Sequence, residues 1–215
     1  MSIARHMPPA DPTPPTSLFA RRALHGDRDG LSVLMARLRP LLLAQIRYRL
    51  GPSLLRQHDP EDVLHDAWLV AIPRLGDLED EGRRATPTVL SFLGTTILHV
   101  VRNLARAAAR QPTTATAEPA ALATGVVTAC VRRERDQRVQ QAIAALTEPD
   151  RAALVLRGIE QQPLPAVARL LGISTEAAGK RYRRALVRLR RSLPRELVAE
   201  LTAAATHRTP PSVVS

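Results

Sequence analysis

Apolar residues recur every three to four positions along most of the chain, and strand-like alternation is almost absent, so the pattern predicts helices throughout. Val63, Leu64, Ala67, Trp68, Ala71 and Leu75 form one such face, with Asp62, His65 and Asp66 together on the opposite side. The helix start is marked by Asp59-Pro60-Glu61-Asp62: Asp59 can cap, Pro60 fits the first turn, and the acids complement the helix dipole. A later helix is expected to begin near Pro87. Leu90, Leu93, Ile97, Val101 and Leu104 mark its buried stripe, and His99, Arg102, Asn103, Arg106 and Arg110 its polar, basic side. Between the two helices, Gly76 to Thr86 reads as a charged loop.

Further along, Thr147-Glu148-Pro149-Asp150 is another start signal, resembling a capping box with Asp in the third helical position. A short helix from Leu164 to Leu171, a tight turn at Gly172-Ile173-Ser174 and a longer helix from Thr175 to Arg191 then follow. Two helices joined by a three-residue turn containing Gly make a helix-turn-helix. Ala168 is small where the helices cross, Gly172 can take the left-handed conformation that ends the first helix, and Ser174 caps the second. Ala178, Tyr182, Ala185, Leu189 and Leu193 form the inward stripe, while Glu176, Lys180, Arg181, Arg183, Arg184 and Arg188 project elsewhere. Polar donors at the start of a helix, with cations around them, are what major-groove reading requires.

Composition adds a partner class. The chain of 215 residues carries a formal charge of +11, with an isoelectric point near 11.4. Among its 31 basic residues only Lys180 is lysine, a ratio that a GC-rich genome explains, but such a genome does not explain the positive excess. That excess points to a polyanion. Aromatics make up only 2% of residues, so the cores must be built from Ala, Leu, Val and Ile, which suits close-packed helices. No run approaches ~18 consecutive apolar residues, the N-terminus lacks the apolar run of a signal peptide, and the lone Cys130 has no disulfide partner. The expectation is a cytoplasmic protein. The layout expected is all-α: a tail over residues 1–16 with five prolines, a helical domain over 17–110, a flexible linker over 111–130, a second helical domain over 131–206 and a tail over 207–215. The linker reading rests on the Ala/Thr/Pro-rich stretch Gln111 to Thr128.

Catalysis is disfavoured. His58, Asp59, Glu61, Asp62, His65 and Asp66 are close in sequence, but the helix start accounts for three of them, and no nucleophile, phosphate-binding Gly loop or zinc-type spacing accompanies them. No cofactor and no metal is expected.

The segment VARLLGISTEAAGKRYRRALVRLR, within Val139 to Leu193, resembles region 4 of the sigma-70 family. DPEDVLHDAWL and SFLGTTILHVVRNLARAAAR independently resemble the polymerase-binding and promoter-reading helices of region 2. With no domain between the two, the layout resembles the small extracytoplasmic-function (ECF) sigma factors. The resemblance implies a protein that directs promoter-specific transcription initiation, with core RNA polymerase (its β′ clamp helices and β flap), promoter DNA and an anti-sigma factor as partners. It implies that Asp62, His65 and Asp66 dock on the clamp helices, and that Arg102, Asn103, Arg106 and Arg110 meet the minus-ten element. It further implies that Thr175, Glu176, Ala177, Gly179, Lys180, Arg181 and Arg184 read the minus-thirty-five element. Two departures stand out: the loop that would hold a flipped base lacks aromatics, leaving Arg83, Arg84 and Phe92 nearest, and Gly179 stands where the family often has lysine. A stand-alone helix-turn-helix regulator, binding promoters without polymerase, is the alternative.

Overall fold

The computed structural model describes residues 15–80, 85–110, 137–191, 193 and 198, and it is all-α: no strand occurs among the described residues. The first block contains α1 (Thr16–Leu24), α2 (Arg28–Leu54), α3 (Pro60–Ala71), a 3-10 turn (Ile72–Asp77) and α4 (Ala85–Arg110). The second contains α5 over 137–144, α6 (Glu148–Leu154), a π-helical turn (Val155–Ile159), α7 (Leu164–Leu171) and α8 (Thr175–Leu189).

The expected stripes are where the core is. Val63, Leu64, Ala67, Trp68, Ala71 and Leu75 are all buried, as are Leu90, Leu93, Ile97 and Val101. Asp59 caps α3 by accepting the Glu61 amide at 2.8 Å. α4 begins at Ala85, two residues before Pro87. It is long and apolar enough by length and composition to cross a membrane, but its most apolar stripe faces the protein core and its C-terminal half carries an exposed basic side. The expected linker over 111–130 and most of both tails lie outside the described residues.

α2 was not marked out by any amphipathic stripe, and the reason lies in its surroundings. Every residue from Pro40 to Ile46 is buried, so this stretch is apolar all round, as an interior helix must be. It packs on α1, α3 and α4 and on the π-helical turn. Gly30 permits the tight α1–α2 approach, since a Cβ there would stand 2.5 Å from the Arg22 Cβ. Asp27 caps α2 through the Asp29 and Gly30 amides and also pairs with Arg22.

A single apolar core runs from Ala20 through α2 and α4 to Val139, Ile143, Leu154, Ile159, Tyr182 and Leu189. A smaller cluster, Leu156, Val167, Ala168 and Ala178, stands beneath the helix-turn-helix. The two blocks are thus packed on each other, and polar contacts reinforce the seam. Glu160 is 5% exposed. Arg49 donates to its carboxylate through Nε at 2.7 Å and Nη2 at 2.5 Å. Gln45 Nε2 donates both to Glu160 Oε1 and to the carbonyl of Gly94, each at 3.1 Å. A Cβ at Gly94 would lie 3.2 Å from the Glu160 Cα, so glycine allows α4 to come this close. Gln140 Nε2 donates to the Pro40 carbonyl at 2.6 Å.

Candidate nucleic-acid interface

α7, the turn and α8 form the helix-turn-helix as its residues demand. Gly172 sits at φ 63°, ψ 36°, the left-handed conformation that ends α7. Ser174 Oγ accepts the Ala177 amide at 3.2 Å and caps α8. Ala178, Tyr182, Ala185 and Leu189 point inward and are buried, with Leu193 beside them. Burial pushes the Tyr182 hydroxyl far above its usual range, so it remains neutral in the core.

The outward residues of α8 fall into two rows. Glu176, Lys180 and Arg183 are exposed on the outer ridge with Val187. Lys180 pairs with Glu176 at 2.6 Å one turn away. In the second row, Ala177, Arg181, Arg184 and Arg188, the last two reach Asp150 of α6. Ala177, Gly179 and Arg181 are half-buried and Thr175 is exposed. Gly179 has open space in ordinary reach, since the nearest atom a Cβ would meet is Leu164 Cδ1 at 3.8 Å.

Arg184 has a partner that local sequence did not reveal. Its Nη2 and Nε donate to Asp150 Oδ1 and Oδ2 at 2.6 and 2.8 Å. The Asp150 side chain is wholly buried, while that of Arg184 is 51% exposed. Arg188 Nη1 lies 3.5 Å from Asp150 Oδ2. Hydrogen bonds from Arg184, opposed by burial and helped by its positive charge, hold the Asp150 carboxyl below its ordinary range. The capping box anticipated from Thr147 does not form: Thr147 caps no backbone amide of α6, and the Asp150 carboxylate takes the Thr147 hydroxyl and, more strongly, Arg184 of α8. The residue type was right and its partner was not.

On α4, Arg102, Asn103, Arg106 and Arg110 are all exposed, with His99 one turn before them. Their spacing of three and four residues places them along one side. On α3, Asp62, His65 and Asp66 are exposed above the buried Trp68. The side chains that follow, Leu69, Val70 and Ile72, are exposed at 59, 51 and 38% and add an apolar margin to this acidic patch. Phe92 is half-buried, with the Arg74 guanidinium 6.0 Å from its ring centre. Arg83 and Arg84 lie outside the described residues. Among the described residues no three His, Cys, Asp or Glu side chains come together as a metal site.

A helix-turn-helix with a capped, cation-bearing second helix defines a DNA-binding protein. Residues 136–189, about a quarter of the chain, match the family model described as sigma-70, region 4. That segment, which holds the whole helix-turn-helix, is similar to sigma-70 region 4. No curated protein sequence matches the chain. Among solved structures, that of CnrH in complex with the cytosolic domain of CnrY matches at 23% identity, covering 87% of this chain and 97% of that one, with a TM-score of 0.39.

Proposed function

We propose that the chain is an ECF-type sigma factor, a cytoplasmic, non-catalytic subunit that binds core RNA polymerase and directs promoter-specific initiation. The observation that carries the reading is α8 within the matched region 4 segment: its inward stripe is buried and its N-terminal half exposes Thr175, Glu176 and Lys180 beside Arg181 and Arg183. A helix so disposed fits the major groove with donors toward the bases and cations toward the phosphates. It would read the minus-thirty-five element. The basic side of α4, at Arg102, Asn103, Arg106 and Arg110, would follow the minus-ten element through its phosphates. Asp62, His65 and Asp66, with the apolar margin beside them, form a patch better suited to a protein than to DNA and would dock on the β′ clamp helices, while region 4 meets the β flap. An anti-sigma factor is a further partner of this type of protein.

The two promoter elements lie about 25 base pairs apart, or about 85 Å at 3.4 Å per pair. A compact chain of this length has a radius of gyration of only about 17 Å. The seam at Glu160 must therefore part before both helices engage one promoter.

Run-off transcription from a genomic promoter library, with core polymerase alone or with the protein, tests the proposal. Transcripts that require the protein and are lost in Asp62→Ala plus Asp66→Ala are expected. Tight promoter binding without polymerase, and no transcripts, would instead favour the stand-alone regulator.

A further inference from the structure

The pair that Arg184 makes with Asp150 bears on which cations of α8 are available to DNA. We propose that Asp150 is an internal counter-anion that withholds Arg184 from the phosphate backbone, so that Lys180, Arg181 and Arg183 carry the DNA contacts of α8. The inference rests on the reading of α8 as a DNA-binding helix and deepens it.

The geometry is of the strongest kind for such a pair. Both carboxylate oxygens of Asp150 are engaged by one guanidinium edge, at 2.6 and 2.8 Å, a two-point fit that fixes orientation as well as distance. With Arg184 in place the carboxylate is shielded from solvent, so the pair meets its surroundings through the arginine. Turning Arg184 outward to a phosphate would give up the two-point bond and leave the carboxylate to the Thr147 hydroxyl and to Arg188, at 3.5 Å. The half-exposed face of Arg184 is therefore polar without being a net cation. An approaching phosphate meets a neutralised pair, and counterion release counts only net charge neutralised. The same bond ties α6 to α8, so Asp150 also sets the angle at which α8 is presented. Asp150 thereby becomes a positioning residue for DNA reading, reached through Arg184 and not by contact with DNA.

The test is the salt dependence of binding of the full-length chain to a labelled 30-base-pair duplex, read by fluorescence anisotropy. Asp150→Asn keeps the shape and removes the charge. It should release Arg184 and steepen the slope of log K against log salt by about 0.9, one phosphate's worth. The double variant Asp150→Asn with Arg184→Gln should return to the wild-type slope, because neither pair carries net charge. Two results would overturn the proposal: a slope for Asp150→Asn equal to that of wild type, or a double variant shallower than wild type by about 0.9, which would show that Arg184 already touches DNA. The double variant decides alone if Asp150→Asn does not fold, since it buries no unpaired charge. A wild-type chain that fails to bind the duplex at any salt would overturn the DNA reading of α8 and this assignment together, an outcome distinct from either variant result.

Discussion

Asp150 and Arg184 form one bond, but breaking it from either end leaves different remnants. Arg184→Ala takes from the Asp150 carboxylate its two-point partner, leaving it to Thr147 and Arg188, and should be the more destabilising of the two truncations. Asp150→Ala leaves an arginine that can turn to water, so its cost should be smaller, about 1–2 kcal/mol. Urea unfolding of both variants at neutral pH checks the order as well as the size. The pH dependence follows from the same pair. Because the folded carboxyl titrates below its ordinary value of about 3.8, its contribution is complete above that pH and is lost as the pH falls through the folded value. Wild type should therefore lose more stability than Asp150→Asn between pH 5 and the acid limit of about pH 2, measured by denaturant melts at stepped pH. The acidity of Asp27, held down first by its bond from Arg22, adds to the wild-type slope in both proteins and cancels in the comparison.

At the level of elements, two glycines of the helix-turn-helix should respond to alanine with opposite sign. Gly172 lies at φ 63°, where a Cβ is strained, so Gly172→Ala should destabilise by about 1–2 kcal/mol. Gly179 is inside α8 and a methyl there meets only Leu164 at ordinary contact distance, so Gly179→Ala should stabilise by up to about 1 kcal/mol. Thermal melts of the two variants settle both signs. Features of this kind were legible in the sequence because they are local: a left-handed glycine, a capping serine or a stripe at helical spacing is written within a few residues. The burial of Val63, Ala67 and Trp68 and the turn at Gly172 were readable for that reason. α2 was not, since a helix buried on all sides has no polar face to set its period. The contacts of Glu160 with Arg49, and of Asp150 with Arg184, were illegible for a related reason. The neighbours of either acid in sequence do not name its partner, which is chosen only when the helices pack.

For the molecule as a whole, the seam between the blocks is held by a shared apolar core and by one buried acid. Glu160→Ala would leave Arg49 and the Gln45 amide without their carboxylate, and the positive charge of Arg49, already opposed by burial, would lose what sustains it. The blocks should then separate more readily, seen as a larger radius of gyration by small-angle scattering. An unchanged scattering profile would show that the apolar core holds the seam without Glu160. The seam also has a consequence in terms of populations. A partner that needs the blocks apart meets only the open fraction of molecules, so its apparent dissociation constant is the intrinsic one divided by that fraction. If one molecule in about a hundred is open, affinity for such a partner is reduced about a hundredfold. A ligand that merely bridges the two closed blocks would lower that fraction further, and could silence the protein without covering any surface that DNA or polymerase would touch.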